Sequence, residues 1–576
     1  MKKILFLLSV LMLCAQGMSA KSITPAQAEA IAKHHFATPA KLNAANVNMR
    51  LTYSGMNQMG TADFYVFNRD GGQGYVIVAG DDMSDPVLAY SERGTFDFNT
   101  APEPIKQMFD LYQKSMESMR HNPQLAQTPS FQMNPDGVAP IFLNEYGEGP
   151  HWHQFAPYNE YFPTYNGEHC YVGCVPVALA HIMKGLQFPA YGNGSNTFHY
   201  ELGGQVKTAT ANFNHSYKYR NMKNGYQGYT SGWQDVAQLM FDVAVACNAK
   251  FSTSSTNVGY EHIMKAMIAY FDFNPNLQYI QKASYAENTW REKIYTELDE
   301  GRPVLYFGYR TVLNSGAAGY VGHAFVVDGY DSEGRLRIIW GFQPEEYNSW
   351  FSFDLLSPRI YGDTPYEHDE YKEGFNADQY AIIGIRPSEE GENGGVVVKS
   401  INYLQDIMPA NDVRGSFEVQ ALSGPWQGSL RWAIAAKNGK NWNIMSQTNT
   451  VQVDLQENET ATIDISGSYN LSNDSTYYVV VWSPYISNSY EWNYFLNDLV
   501  PFTVGNWVTP PDPQVTMGDV NNDGVVNVTD LTDLINAVLN EDYSSIVVAN
   551  ADVDGNGIVN VTDVTELINY VLSLQE

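Results

Sequence analysis

The chain has 576 residues and a formal net charge of −30, with 44% hydrophobic and 13% aromatic residues. This length exceeds what one hydrophobic core supports, so about three to five domains are expected. The apolar content excludes a largely disordered chain. The excess of acidic groups argues against nucleic acid and anionic membrane surfaces as partners, because their negative charge would repel it.

The first 20 residues have the pattern of a secretory signal peptide. Two lysines precede an apolar run over residues 4–13, and small residues follow up to Ala20. The pattern predicts export with cleavage after Ala20, and hence a secreted protein that is extracellular or associated with the cell surface. Cys14 leaves a lipoprotein signal as the alternative, although Leu13 before it fits such a site poorly. No later run approaches about 18 apolar residues, so no membrane span is expected.

Residues 21–135 are predicted to form a small α+β unit. Thr24 and Gln27 have the spacing of a capping box at the start of a helix. The other patterned segments predict two strands and a helix, at residues 64–67, 74–79 and 103–119. An unpatterned polar stretch follows and predicts a linker or cleavage region.

The largest predicted domain spans residues 136–388. Its first half has helical patterns, at residues 174–186, 233–247 and 260–270. Its second half has strand patterns, at residues 303–307, 323–327, 335–340, 350–353 and 380–385. Helices followed by strands indicate an α+β domain rather than an alternating α/β domain.

Two further domains are predicted after a Glu/Gly-rich linker at residues 388–395. Short strand patterns between turn residues, as in 428–434 and 477–482, predict a β-sandwich within residues 389–510. This region shows no catalytic constellation, so we expect an accessory structural or binding domain. A stiff proline-rich linker at residues 510–513 then leads into the last domain, residues 515–576.

The C-terminal domain contains an internal repeat with the spacing of an EF-hand calcium loop. Each copy has side-chain oxygens at loop positions 1, 3, 5, 9 and 12, a backbone carbonyl at 7 and glycine at 6. Position 12 is Asp rather than the longer Glu, and an apolar helix follows each loop. The predicted Ca²⁺ ligands are Asp519, Asn521, Asp523, Val525, Asn527 and Asp530, then Asp552, Asp554, Asn556, Ile558, Asn560 and Asp563. The pair resembles the type I dockerin module, which implies calcium-dependent folding and docking to a cohesin-like partner.

Cys174 is the first candidate catalytic residue. It follows Gly173 at the start of the predicted helix 174–186, where the helix dipole and unpaired N–H groups favour an anion. A thiol at this position should ionise more easily, as a nucleophilic thiol requires. The alternative is a small buried hydrophobe. With Cys14 in the leader, three cysteines remain, so at least one thiol is free.

His323 and Gln154 supply the other groups that a thiol peptidase needs. His323 is predicted to begin an apolar strand, between a glycine-rich loop and a glycine turn. An imidazole at that position suits a general base, although a hydrogen-bonded structural histidine is the alternative. Gln154 lies twenty residues before Cys174 and offers an amide donor for an oxyanion, with the Cys174 backbone N–H as the second donor.

Together these motifs resemble the streptopain family of cysteine peptidases. The resemblance covers the segments 152–159, 173–184, 322–330 and 340–341, in the family's order and spacing, and the upstream segments 74–82 and 86–91 resemble its inhibitory propeptide. It implies a papain-like endopeptidase made as a secreted zymogen, which cleaves protein or peptide substrates without a cofactor for catalysis. Cys174 would be the nucleophile, His323 the general base and acid, Gln154 the oxyanion donor, and Trp340 a shield beside the imidazole.

One position departs from the family pattern. Ile339 stands where the family has Asn before Trp-Gly, and its side chain cannot hydrogen-bond an imidazole. Asp328 should point away from His323 along the strand, which leaves Gln343 or Asn348 as substitutes.

The alternative function is therefore a weakened peptidase fold that acts as a protein-binding or scaffold protein. A third possibility, a metal site from His169, Cys170, Cys174 and His181, lacks a second ligand cluster at zinc-like spacing.

Overall fold

The computed structural model describes residues 21–37, 47–122, 132–144, 147–314, 317–343, 345–356, 378–404, 407–409, 412–438, 441–467, 469–473, 475–482, 501–504, 517–523, 525–540, 542–554 and 558–573. The predicted signal peptide and the proline-rich linker at 510–513 lie outside these residues. Within these ranges, no helix combines the length and the apolar character needed to cross a membrane.

The helices and strands are numbered in chain order. The α-helices are α1 Pro25–Phe36, α2 Glu103–His121, α3 Cys174–Leu186, α4 Trp233–Ala246, α5 Tyr260–Lys265, α6 Glu287–Asp299, α7 Phe353–Leu356, α8 Val528–Asn540, α9 Val548–Ala551 and α10 Val561–Ser573. The strands up to residue 383 are β1 Met49–Met56, β2 Ala62–Arg69, β3 Tyr75–Ala79, β4 Val87–Ser91, β5 Thr164–Tyr165, β6 Glu168–His169, β7 Ser195–Leu202, β8 Gln205–Asn212, β9 Gln278–Gln281, β10 Val304–Asn314, β11 Ala317–Tyr330, β12 Leu336–Ile339, β13 Ser349–Phe351 and β14 Asp378–Ile383. The later strands are β15 Gly395–Tyr403, β16 Ile407–Met408, β17 Gly415–Leu422, β18 Trp426–Asn438, β19 Asn441–Ile444, β20 Asn449–Leu455, β21 Thr460–Asp464, β22 Ser475–Trp482 and β23 Pro501–Val504.

Ten of the described strands form one sheet that runs through both the N-terminal region and the predicted peptidase domain. Its order is β1-β2-β3-β4-β13-β12-β11-β10-β14-β9. The apolar residues of both regions also share one core, in which Phe64 and Tyr75 belong to the same buried cluster as Phe325 and Trp340. The N-terminal region therefore continues the sheet and the core of the predicted peptidase domain.

The joint between the two regions is the antiparallel pair β4–β13. Tyr90 lies opposite Trp350, and their rings stack with centroids 5.9 Å apart. The Ser352 N–H donates to the Leu88 carbonyl at 2.7 Å and continues the pairing. A sheet edge needs such partners because its backbone groups are otherwise unpaired.

The central helix α3 packs against β11, the strand that carries His323. The strand begins at Ala317 and pairs with β10 from Ala317 to Val327. The prediction that His323 begins the strand is therefore wrong, because the glycine-rich segment 319–322 is itself part of the hairpin with β10. Small residues do not prevent strand formation when a neighbouring strand satisfies their backbone hydrogen bonds.

The β-rich region after residue 388 contains two sheets. One has the order β15-β17-β21, and in the other β18 pairs with β19, β20 and β22. The Phe417 and Trp432 rings meet between them at 6.4 Å. The assignment as a β-sandwich stays a prediction.

The predicted linker at 388–395 is anchored to the residues around it. The Ser388 N–H donates to the Asp272 carbonyl at 3.1 Å, and the Gly394 N–H donates to the Pro425 carbonyl at 2.9 Å. Arg386 pairs with Glu392 at 2.6 Å. A loop with these backbone and charged partners is a fixed connection rather than a free linker.

The C-terminal domain lies in a second compact unit of the chain. It consists of two loop–helix repeats, with α8 and α10 packed against each other around Val520, Leu534 and Leu567. Helices α8 and α10 begin at Val528 and Val561, three residues before the apolar patterns that start at Leu531 and Val564. Each helix therefore begins within its acidic loop.

Candidate active site

Cys174 is the first residue of α3 and is half-buried. Gly173 before it has φ +92°, and a Cβ there would lie 2.8 Å from the Thr256 carbonyl oxygen. Only glycine fits this turn without strain. The turn therefore presents the thiol at the helix start, as the sequence predicted.

The ionisation of this thiol differs from the prediction. Burial raises the pKa of Cys174 above its ordinary value, although backbone hydrogen bonds from Ala324, Val175 and its own N–H act in the opposite direction. The helix-start N–H groups therefore favour the thiolate as expected, but desolvation outweighs them. Ala324, whose backbone lowers this pKa, follows His323 directly in β11, and α3 packs against that strand.

His323 lies in β11 opposite Gly308 and is 5% exposed. Its Nε2–H donates to the Trp340 carbonyl oxygen at 2.8 Å. A carbonyl oxygen only accepts, so Nε2 carries the proton and the neutral ring keeps Nδ1 as an acceptor. Burial lowers the pKa of His323 to about 4. The imidazole is therefore neutral, and no residue in the described parts of the chain occupies the lone pair at Nδ1.

Two aromatic rings flank the His323 imidazole. The Trp340 indole lies parallel to it with centroids 6.1 Å apart, as the predicted shield should. The Phe342 ring is closer: its centroid lies 4.3 Å from that of the imidazole, and the two ring planes are 14° apart. Sequence reasoning missed Phe342, because an aromatic residue just after a Trp-Gly pair carries no signal of its own.

The structure places a backbone carbonyl where the family pattern has the side chain of Asn. Ile339 pairs with Val326 in the sheet and is buried there. Asn348 does not replace it directly: its Oδ1 accepts from the Trp340 N–H at 2.7 Å. Asp328 points away, as predicted, and pairs with Arg337 at 2.8 Å.

Gln154 lies in the loop before α3 and is half-buried. The backbone carbonyl oxygen of Gln154 accepts a hydrogen bond from the Val172 N–H at 3.1 Å. This bond fixes the loop beside the turn that carries Cys174. No described residue hydrogen-bonds the Gln154 side-chain amide, so its N–H groups are available to a ligand.

The weak metal candidate is not supported. His169 Nδ1 lies 2.9 Å from the Phe162 carbonyl oxygen, whereas His181 Nε2 accepts from the Trp152 N–H at 3.0 Å. These rings therefore serve different backbone partners. In the described ranges, groups of three or more potential metal ligands occur only in the two C-terminal loops.

Those C-terminal loops bring the predicted carboxylates together. Oxygens of Asp519, Asp523 and Asp530 lie within 4.8 Å of one another, as do those of Asp552, Asp554 and Asp563. Asp530 and Asp563 are fully buried, and clustered buried carboxylates repel one another unless a cation lies between them. These residues fit a divalent cation. Asn556 lies outside the described residues.

The backbone of both loops is folded around the last carboxylate. The Asn527 N–H donates to Asp530 Oδ2 at 2.9 Å, and the Asn560 N–H donates to Asp563 Oδ2 at 2.8 Å. The Val525 and Ile558 carbonyls accept from the side-chain amides of the same two asparagines. Asn521 Oδ1 accepts from the N–H of Asp523 at 3.0 Å. In both copies the short Asp side chain at position 12 therefore reaches the backbone of its own loop.

Three family models match the chain. The Peptidase C10 family model matches residues 152–351, the Spi protease inhibitor model matches residues 20–116, and the dockerin type I model matches residues 517–572. These matches follow the order of the N-terminal extension, the site and the paired loops.

Two curated relatives agree with these matches. The chain is 28% identical over 411 residues to the thiol protease/hemagglutinin PrtT of Porphyromonas gingivalis, covering 69% of this chain and 45% of the relative. It is 29% identical over 371 residues to streptopain of Streptococcus pyogenes, covering 60% of this chain and 84% of streptopain. A prointerpain A fragment of Prevotella intermedia is similar in structure, with a TM-score of 0.46 and 23% identity over 60% of this chain and 100% of that fragment.

The predicted family resemblance is therefore confirmed. The chain contains a cysteine peptidase domain of the C10, or streptopain, family, preceded by a Spi inhibitor-like propeptide domain and followed by a type I dockerin domain.

Proposed function

We propose that the chain is a secreted cysteine endopeptidase, made as a zymogen, in which Cys174 and His323 cleave peptide bonds. The observation that carries this proposal is the packing of α3, which begins at Cys174, against β11, which carries His323. This packing supports the pairing of the thiol with the His323 ring, whose Nδ1 can accept its proton. The signal-like N-terminus supports export.

In the proposed reaction, His323 Nδ1 takes the proton of the thiol as Cys174 sulfur attacks the scissile carbonyl carbon. The imidazolium then gives this proton to the leaving amine, and the acyl-enzyme forms. Water, deprotonated by the same ring, hydrolyses the thioester and restores the thiol. The Trp340 carbonyl would orient the ring throughout, because its hydrogen bond to Nε2–H persists in both charge states.

The Gln154 side-chain amide and the Cys174 backbone N–H would stabilise the negative oxygen of the tetrahedral intermediates. Such donors act only where charge develops, and one of them typically contributes about 10²–10³ in kcat. Trp340 and Phe342 would exclude water from the ring, which strengthens these interactions. This arrangement needs no metal ion.

The N-terminal domain would act as the inhibitor of its own peptidase. Its four strands continue the peptidase sheet, and the shared core is buried on both sides of the β4–β13 pair. The domain would therefore leave only after cleavage of the chain between them. Residues 21–135 and 136–388 are our proposed limits for the two domains.

The dockerin loops would bind two Ca²⁺ ions through the oxygens at the twelve predicted positions. Bound Ca²⁺ would neutralise the clustered carboxylates and fix the loops against their helices. The module would then dock the secreted enzyme to a cohesin-like partner.

Labelling with an epoxide thiol inhibitor tests the catalytic proposal. We expect mass spectrometry of the propeptide-released enzyme to show one label, on Cys174, and the enzyme to digest casein. Cys174→Ala should remove both. Cys247→Ala is the matched control, because the Cys247 thiol is free but fully buried. Its loss should change neither the labelling nor the casein cleavage. Labelling without casein cleavage would instead support the binding or scaffold protein.

A further inference from the structure

His181 is a buried histidine in the catalytic helix with no role in the reaction described above. It follows Cys174 by seven residues, or about two turns of α3, and has no exposed surface. Its Nε2 accepts a hydrogen bond from the Trp152 backbone N–H at 3.0 Å. The ring also lies against the Trp152 indole, with centroids 5.7 Å apart.

This hydrogen bond fixes the chemical form of the His181 ring. Because Nε2 accepts, the proton of the neutral ring must be on Nδ1. Nδ1 is buried and finds no hydrogen-bond partner in the described parts of the chain. Burial lowers the pKa of His181 to about 3, so the ring stays neutral at working pH and Nε2 remains an acceptor.

An apolar side chain would fill the same space without burying an unsatisfied N–H donor. The apolar residue would leave the Trp152 N–H as the unpaired donor instead, so the two costs offset each other and the helix itself gains little from the histidine. What the histidine adds is the acceptor for the Trp152 N–H.

That acceptor holds one end of the oxyanion segment, residues 152–154. The other end is held by the hydrogen bond from the Val172 N–H to the Gln154 carbonyl at 3.1 Å. Val172 precedes Cys174 by two residues, and His181 follows it on the same helix. Both ends of the segment are thus tied to the element that presents the nucleophile.

We propose that His181 is a positioning residue for the oxyanion site, which keeps the Gln154 amide in register with the Cys174 thiol through the Trp152 backbone. His181 does not touch the substrate. The inference rests on the proposed function, because it assigns Gln154 as the oxyanion donor.

The test compares His181→Leu, His181→Gln and Gln154→Ala in the full chain after propeptide release. Leucine keeps the apolar volume and removes the acceptor, whereas the glutamine Oε1 can accept in its place. Three readouts are measured: kcat and KM on a fluorogenic peptide, Ki of a peptide aldehyde, and the rate of Cys174 alkylation by iodoacetamide. The aldehyde adds to the thiol and places its oxygen in the oxyanion site, whereas alkylation displaces iodide and uses no such site.

We expect His181→Leu to lower kcat about tenfold and to raise the aldehyde Ki about tenfold, since it displaces rather than removes a donor worth about 10²–10³. KM and the alkylation rate should stay within about twofold, and His181→Gln should recover most of the loss. The double variant with Gln154→Ala should be no worse than Gln154→Ala alone, because both act through one amide.

Equal losses in alkylation and in kcat would overturn the proposal, since they would mean a disturbed helix. The proposal would also be overturned if the losses in kcat of His181→Leu and Gln154→Ala multiplied in the double variant. If His181→Leu does not fold, His181→Asn decides, because its shorter amide cannot reach the Trp152 N–H and should lose activity that His181→Gln keeps. If Gln154→Ala changes neither kcat nor the Ki of the aldehyde, Gln154 is not the oxyanion donor, and the proposed function is wrong at that residue.

Discussion

The orienting group of His323 is a backbone carbonyl, so its position depends on what fixes the Trp340 backbone. Asn348 accepts the Trp340 N–H and closes the loop between β12 and β13. Asn348→Leu removes this acceptor at similar volume and should let the Trp340 carbonyl drift from Nε2. We expect kcat to fall about tenfold with KM nearly unchanged, in line with the loss of one hydrogen bond. The readout is steady-state hydrolysis of a fluorogenic peptide.

Asn348→Asp is the matched control for this prediction. Its carboxylate still accepts from the Trp340 N–H, so kcat should remain closer to that of the parent enzyme. The added negative charge should also raise the pKa of the His323 imidazolium and move the acid limb of the kcat/KM profile to higher pH. Equal activity of Asn348→Leu and the parent enzyme would show that the loop holds the carbonyl without this bond.

The protonation states of the site predict how the zymogen thiol reacts with pH. The pKa of His323 is lowered to about 4 by burial, and burial raises that of Cys174 above its ordinary value. Above about pH 4 the ring is therefore neutral, and the thiol stays protonated until the alkaline range. Alkylation of the zymogen by iodoacetamide should rise only on the alkaline side, because the thiolate is the reactive form.

A plateau of the alkylation rate across roughly pH 5 to 8 would contradict this expectation, since it is typical of a thiolate–imidazolium pair. Cys174→Ala provides the background, because Cys170 and Cys247 are fully buried.

At the scale of elements, each predicted strand segment overlaps an observed strand, but local pattern missed other strands and one long helix. The predicted helix at 174–186 has the observed bounds, because its apolar stripe and its glycine turn are both local signals. The hairpin β7–β8 and helix α6 were missed, because polar residues are frequent in both and some of them are buried together with the apolar ones. The glycine-rich half of β11 is a strand only because β10 pairs with it. Such pairing is a long-range property that a local pattern does not contain.

The same limit applies to the site. Residue type and position indicated Cys174, His323 and Gln154, and the family resemblance added Trp340. The contributions of Asn348 and His181 lie in hydrogen bonds to distant backbone N–H groups. No spacing rule predicts which backbone group a side chain will meet after folding.

The pair β4–β13 predicts how tightly the N-terminal domain is held. Tyr90 stacks on Trp350, lies 5.3 Å from the Arg335 guanidinium and donates to Asp331 at 3.2 Å. Tyr90→Ala removes all three contacts, each worth about 0.5–1 kcal/mol or more. We expect the full-length zymogen to lose its propeptide at least about tenfold faster. A gel time course after addition of a trace of mature enzyme measures this rate.

Leu51→Ala is the control for the interface, because Leu51 lies on the outer strand β1 and is 41% exposed. It should be processed at the parent rate. If Tyr90→Ala loses its propeptide at the parent rate, the propeptide is held by its core contacts alone.

At the scale of the whole molecule, the peptidase and the C-terminal module differ in how they are stabilised. The sheet domain buries a large apolar core, whereas the C-terminal module buries few apolar residues around Val520 and Leu567. Small domains of this kind usually need a metal or disulfide, and this chain has no cysteine after residue 247. Ca²⁺ is therefore expected to supply much of the folding free energy of the module.

Chelation of a 515–576 fragment should accordingly abolish its helical circular dichroism, and added Ca²⁺ should restore it. Asp530→Ala should weaken Ca²⁺ binding in calorimetry by at least about tenfold, because it removes a buried ligand whose carboxylate also fixes the Asn527 N–H. Glu566→Ala, an exposed acidic residue on α10, should bind Ca²⁺ as the parent does. A helical spectrum that is unchanged by chelator would show that the module folds on its apolar core alone, and the calcium proposal would then be wrong.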